Sequence, residues 1–106
     1  MTTLNNSIIR GLTILECLFE EGFEGKTLDE IFTQTDIPWT TSWRMLKTME
    51  AKGWVVEVPI GGSKQGRWRA SSKIVEIANA YERNAIAKVQ GIKNEFSNMT
   101  GRELKA

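Results

Sequence analysis

At 106 residues, 41% apolar and 25% charged, the chain fits one compact domain plus an appendage, and disorder is not the expectation. With no histidine and one cysteine, Cys17, it can build neither a zinc site of the usual nitrogen and sulfur donors nor a nucleophile–histidine pair. Paired-carboxylate chemistry stays open in principle, but the acids fall mostly on solvated helix faces, so no catalytic residue, metal or cofactor is expected. The net charge of +1 is unevenly spread: residues 1–37 carry −5, residues 38–73 carry +5 and residues 74–106 carry +1, which fits either a phosphate footprint in the middle third or an uneven scatter of solvated charge.

The first helix is expected from about Ile8 to Glu21. Ile8, Leu12, Leu15 and Phe19 recur at four, three and four residues, the spacing of a buried stripe, and Ile14 and Leu18 widen it. Asn6 or Ser7 is placed to cap its start and Gly22 to stop it, while Cys17 reads as a small packed or boundary side chain. Thr27-Leu28-Asp29-Glu30 then spells a capping box, in which the Thr27 hydroxyl takes a first-turn N–H and Glu30 reaches back to the cap. The second helix that it opens carries Leu28, Ile31 and Phe32 on its apolar face and should end near Gln34. Residues 35–38 make a tight turn, and Pro38 keeps Ile37 out of helical geometry, so a third helix begins just after it.

That third helix should run roughly from Thr40 to Lys52 and end at Gly53, burying Met45, Leu46 and Met49, with Ser42 one turn earlier. Its other side shows Thr40, Thr41, Arg44, Lys47 and Thr48. Two helices joined by about four residues, the second carrying hydroxyls and cations outward, form a helix-turn-helix. After Gly53 the apolar period becomes alternation, giving a strand near Trp54–Val58, a loop with three glycines over Pro59–Gly66, and a returning strand over Arg67–Ala70. This hairpin is a wing, with Lys64 at its tip and Arg67 at its base. Trp54 and Trp68 fall on the paired strands and are expected to fill core.

Ser71 or Ser72 caps a final long helix from about Lys73. Val75, Ala78, Ala85, Val89, Ile92, Phe96 and Met99 lie on a three-four spacing, with Glu82 at one seam position and Gly91 costing ~1 kcal/mol against alanine. An apolar stripe on a terminal helix needs a partner, so a homodimer through residues 74–99 is expected. The expected class is mainly α with a small β-hairpin: a winged helix-turn-helix over residues 1–72, then a C-terminal helix over residues 73–106 as a dimerisation element. No apolar run approaches the ~18 residues that cross a bilayer, and the N-terminus lacks the pattern of a secretion signal. A lone cysteine suits a reducing compartment, so a cytoplasmic location is expected.

The stretch Ile37-Pro38-Trp39-Thr40-Thr41-Ser42-Trp43-Arg44-Met45-Leu46-Lys47-Thr48-Met49-Glu50-Ala51-Lys52-Gly53-Trp54-Val55 resembles the recognition region of IclR-type transcriptional regulators. That region reads as a Leu-Pro turn, a hydroxyl pair, an arginine, paired apolar residues, then Leu-Glu-x-x-Gly-aromatic-Val. The resemblance extends to Arg10–Leu15 and Thr27–Ile31 upstream, and to Trp68–Ala70 and Ile74–Ala78 downstream, covering roughly residues 7–81. It implies a winged helix-turn-helix that binds DNA. Ser71-Ser72 departs from the Gly-Pro common in the family, and Trp43 stands where a smaller polar or imidazole side chain is usual. The family's large effector-binding domain has no counterpart in these 106 residues, so no small-molecule effector site is carried over.

The second helix of a helix-turn-helix enters the major groove with its N-terminal residues toward the base edges. This places Trp39, Thr40, Thr41, Trp43 and Arg44 nearest DNA. Arg44 suits either a bidentate contact to guanine or a phosphate bridge. Thr40 and Thr41 suit a phosphate or a thymine methyl, with one of them also expected as helix cap. Lys47 and Lys52 are placed for the backbone or for solvent. Lys64 and Arg67 suit phosphates or the adjacent minor groove, the other reading being a flexible hairpin tip with incidental charge. Trp39 and Trp43, four residues apart, suit contact with sugar, thymine methyl or base edge, or else packing against the second helix or a partner protein. The leading expectation is a sequence-specific protein of double-stranded DNA that regulates transcription. The alternatives are a phage-like replication, packaging or partitioning factor, and a winged-helix protein-interaction module.

Overall fold

The computed structural model describes residues 3–20 and 23–105. Four helices and one hairpin follow in the order α1 (Asn6–Phe19), α2 (Leu28–Thr35), α3 (Trp39–Ala51), β1 (Val55–Val58), β2 (Arg67–Ala70) and α4 (Ser72–Thr100). This is a winged helix-turn-helix followed by a long helix. The chain divides into two compact units after Ile74.

In the first unit, α1 packs on α2, α3 and β2, while α2 also packs on α3, and α3 on β1. Ile14, Ile31, Leu46, Val55 and Trp68 meet in the centre, fully buried, with Cys17, Leu18, Leu28 and Ile37 around them. Trp68 on β2 is central, whereas Trp54, expected on the first strand, lies just before β1 and is half-buried against this cluster. Ser42 is also fully buried on α3, its hydroxyl 3.4 Å from the Ile37 carbonyl, with Met45 and Met49 half-buried on the same side.

The inward face of α1 is not the stripe its sequence suggests. Ile14, Cys17 and Leu18 are buried and Leu15 partly so, whereas Ile8, Leu12 and Phe19 are more than half exposed. The helix is apolar over more than one arc, and periodicity alone does not say which arc meets α2, α3 and β2. Its start differs too: Asn5, rather than Asn6 or Ser7, is the N-cap, its side chain accepting the Ile8 N–H at 3.1 Å. The expected stop at Gly22 lies outside the described residues.

The capping box of α2 forms as its sequence dictates. Thr27 Oγ1 accepts the Glu30 N–H at 3.2 Å, and Glu30 Oε1 accepts the Thr27 N–H at 2.9 Å. Asp36 ends the helix in the left-handed region at φ 58°. The hairpin is antiparallel, pairing Val55 with Ala70, Val56 with Arg69, Glu57 with Trp68 and Val58 with Arg67.

Lys26 adds a short third rung. Its N–H and carbonyl exchange 2.8 Å hydrogen bonds with Trp68, burying the lysine. Gly25 makes this approach possible: it sits at φ +85°, and a Cβ there would lie 2.7 Å from the Trp68 carbonyl oxygen. The Lys26 ammonium donates to Gln34 Oε1 at 2.7 Å, and the Cys17 thiol donates to the same oxygen at 3.0 Å.

Ser71 precedes α4, accepting the Lys73 N–H at 3.2 Å and donating to the Gly53 carbonyl at 2.6 Å. In the second unit α4 runs on to Thr100 with no buried residue. Val75, Ile77, Tyr81, Ile86, Val89, Ile92 and Met99 are all exposed along it. No helix is long and apolar enough to cross a membrane among the described residues.

Candidate nucleic-acid interface

Helix α3 begins without a side-chain cap. Pro38 holds the N-cap position, so neither Thr40 nor Thr41 takes the capping role expected of one of them. The Ser42 N–H is the first donor of the helix, to the Pro38 carbonyl at 2.9 Å, and the N–H groups of Trp39, Thr40 and Thr41 meet no acceptor among the described residues. Unpaired N–H groups and the helix dipole make such an end attractive to anions.

Around this end Thr40 is exposed and Thr41 half-buried, while Trp39 and Trp43 keep 41% and 47% of their surface in solvent. The Trp39 indole N–H donates to Asp29 Oδ1 on α2 at 3.0 Å. Lys47 lies 6.0 Å from the centre of the Trp43 ring and forms a 2.9 Å ion pair with Glu50. The hydrogen bond and the charge of Glu50 raise the Lys47 pKa above its ordinary value. Arg44 is exposed, and its side chain has no hydrogen-bond or ion-pair partner among the described residues. It borders a 410 Å³ groove with Asn5, Ser7 and Ile8 of the α1 end and Met45 and Met49 of α3.

The wing separates its two cations. Lys64, near the tip, is exposed and has no side-chain partner among the described residues. Arg67 instead turns back into the domain, donating to the Gly25 carbonyl and to Glu30 Oε1, each at 2.9 Å. Glu30 is held below its ordinary pKa first by the Thr27 N–H and then by the positive charge of Arg67. Gly66 lets the returning strand close on the outgoing one: a Cβ there would collide with the Val58 carbonyl, and its N–H donates to Glu57 Oε2 at 3.1 Å.

Leu28, Trp39, Thr40, Trp43 and the wing residue Gln65 line a 240 Å³ pocket. The structure thus gathers Trp39, Thr40 and Trp43 beside the wing and puts Arg44 at the rim of a second groove. Lys47 and Arg67 are engaged in internal ion pairs. Gln65 was not singled out by its sequence, although its place next to Lys64 at the wing tip was a usable signal. Asn5 and Ser7 gave no signal beyond helix capping. Among the described residues, no cluster of three histidine, cysteine, aspartate or glutamate side chains could hold a metal ion.

Comparison with known proteins matches residues 7–59 to the IclR helix-turn-helix domain. No curated protein matches the chain. Among solved structures, a protein of a Silicibacter species described as an IclR transcriptional regulator superposes with a TM-score of 0.60 at 19% identity. That match covers 91% of this chain but only 37% of the Silicibacter protein. The Campylobacter jejuni peroxide stress regulator superposes with a TM-score of 0.53 at 15% identity, over 95% of this chain and 82% of its own. Both share the fold. With residues 7–59 matched by the family model and the helix-turn-helix and wing in place, the chain belongs to the IclR helix-turn-helix domain family.

Proposed function

We propose that the protein binds double-stranded DNA sequence-specifically, as a homodimer that places one α3 in the major groove of each half-site. The observation that carries this reading is the uncapped start of α3, with exposed Thr40 and Arg44 and the unpaired Lys64 of the wing. Arg44 makes a bidentate contact to a guanine. Thr40, Thr41 and the first-turn N–H groups hold a phosphate, and Lys64 follows the backbone beside the wing. Trp39 and Trp43 supply apolar contact. Lys47 reaches a phosphate only by leaving Glu50, and Arg67 sets the wing's position rather than touching DNA.

Residues 1–72 act as the DNA-binding domain and residues 73–106 as the dimerisation element. The apolar side chains on the exposed surface of α4 support this division, because such a stripe gains about 25 cal/mol per Å² when a second copy covers it. The role is binding and regulation, without catalysis or cofactor, in the cytoplasm.

Selection of bound duplexes from a random library tests this reading. Enrichment of a two-fold symmetric site is expected, with affinity falling steeply from low to moderate salt as phosphate contacts are screened. Arg44→Ala should cost about 1–3 kcal/mol on that site and relax its preference at one base pair. No enriched sequence, or an affinity indifferent to salt, would overturn the proposal.

A further inference from the structure

The 240 Å³ pocket beside the wing is more apolar than phosphate contact requires. Leu28 is buried in it, Trp39 and Trp43 form walls, and only Thr40 and Gln65 bring polar side chains. Asp29 consumes the Trp39 indole N–H, which leaves that ring to offer hydrocarbon and π surface. No carboxylate lines the pocket, and the unpaired N–H groups at the start of α3 and the exposed Lys64 next to Gln65 favour a polyanion around it.

A major-groove edge carries few groups that such a surface can recognise. Donors and acceptors of the bases want polar partners, and the apolar group on offer is the C5-methyl of thymine. We infer that Trp43, which lines the pocket with Trp39, reads a thymine C5-methyl in each half-site and so acts as a specificity-determining residue. The inference rests on the DNA-binding reading above and names the group recognised. The second turn of α3 suits such a contact, since Trp43 lies one turn beyond Trp39, and Lys47, held by Glu50, sits over its ring. Covering one methyl against indole adds a contact that carries no charge and is indifferent to salt.

Uracil scanning tests it. In the duplex recovered by selection, each thymine is replaced in turn by uracil, which removes the methyl and leaves every hydrogen-bonding group of the base pair. The unaltered protein should lose about three- to fivefold in affinity at one position per half-site, the worth of one buried methyl. Trp43→Ala should bind the thymine and uracil duplexes alike, while its salt dependence matches that of the unaltered protein. Because about half of the Trp43 surface is buried, the thermal midpoint of the variant should fall, and its binding is measured well below that midpoint. Trp43→Leu gives a second reading, with a reduced uracil penalty. A flat uracil scan on a duplex that is otherwise bound specifically overturns this inference alone. So does a penalty that persists in Trp43→Ala, and an unchanged affinity in that variant would leave the tryptophan pair to a protein partner. Failure to enrich any duplex overturns the DNA-binding reading itself.

Discussion

Arg67 and Glu30 are 37 residues apart in sequence, yet Arg67 Nη1 lies 2.9 Å from Glu30 Oε1. The same carboxylate oxygen accepts the Thr27 N–H, so one acid closes the capping box of α2 and anchors the base of the wing. The placement of the wing beside α3 therefore depends on a contact between the wing's base and α2, in which α3 itself takes no part. Arg67→Ala is expected to destabilise the fold by about 1 kcal/mol, since the pair is partly solvated but the bond to the Gly25 carbonyl is lost with it. Lys64→Ala should leave stability unchanged and lower the salt dependence of DNA binding by about one phosphate contact. Thermal denaturation and salt titration of the two variants, measured together, separate the roles.

The same carboxylate predicts a pH response. Glu30 is held below its ordinary value of 4.5 by the Thr27 N–H first and Arg67 after it. A depressed folded pKa means stability that is present above pH 4.5 and lost as acid protonates the carboxyl at lower pH. Glu30→Gln should therefore be less stable than the unaltered protein at neutral pH, and the difference should shrink below pH 4.5. Urea titrations at pH 7 and pH 3 read it directly.

Cys17 should be chemically quiet. Burial raises its pKa, the charge of Lys26 opposes this, and Glu20 and Glu30 add smaller raising effects. Its hydrogen also points to Gln34. An aromatic disulfide reagent at pH 8 should label the folded protein slowly and the urea-unfolded protein at once, because the thiolate is the reacting form. Fast labelling of the folded protein would contradict this placement.

Gly25→Ala is expected to cost about 1–3 kcal/mol, from the left-handed backbone and the approach of the Trp68 carbonyl together. Gly61→Ala is the control, since its added carbon meets nothing within 4 Å and its φ is ordinary. Denaturant midpoints of the pair test the claim that the Lys26 rung, rather than loop flexibility, sets the demand for glycine.

On α4, Val89→Glu with Ile92→Glu should disrupt self-association without altering the first unit, because both side chains are exposed. Light scattering should report a monomer. Affinity for a two-half-site duplex should fall far more than affinity for a single half-site.

The parts of the fold that were legible in the sequence are those written in local chemistry. Thr27 and Glu30 announce their capping box because both partners sit within one turn. Pro38 marks the start of α3, and the alternation after Gly53 marks the hairpin. The phase of α1 was not legible, since Ile8 and Ile14 belong to different arcs of one apolar helix and only tertiary packing chooses between them. The candidate interface divides in the same way. Exposure of Thr40 and Arg44 follows from their helical positions, but the commitment of Arg67 to Glu30 depends on strand register and could not be read from spacing. The burial of Lys26 had no local signal at all.

The shared acceptor at Gln34 has an evolutionary consequence. One amide oxygen answers both the Lys26 ammonium and the Cys17 thiol, so a change at position 34 strands two donors at once, while a change at 17 or 26 alone leaves the glutamine its other donor. Three sites scattered over the first third of the chain are thereby one heritable unit. Among descendants of this sequence they should drift in concert, with an apolar residue at 34 accompanied by the loss of the lysine.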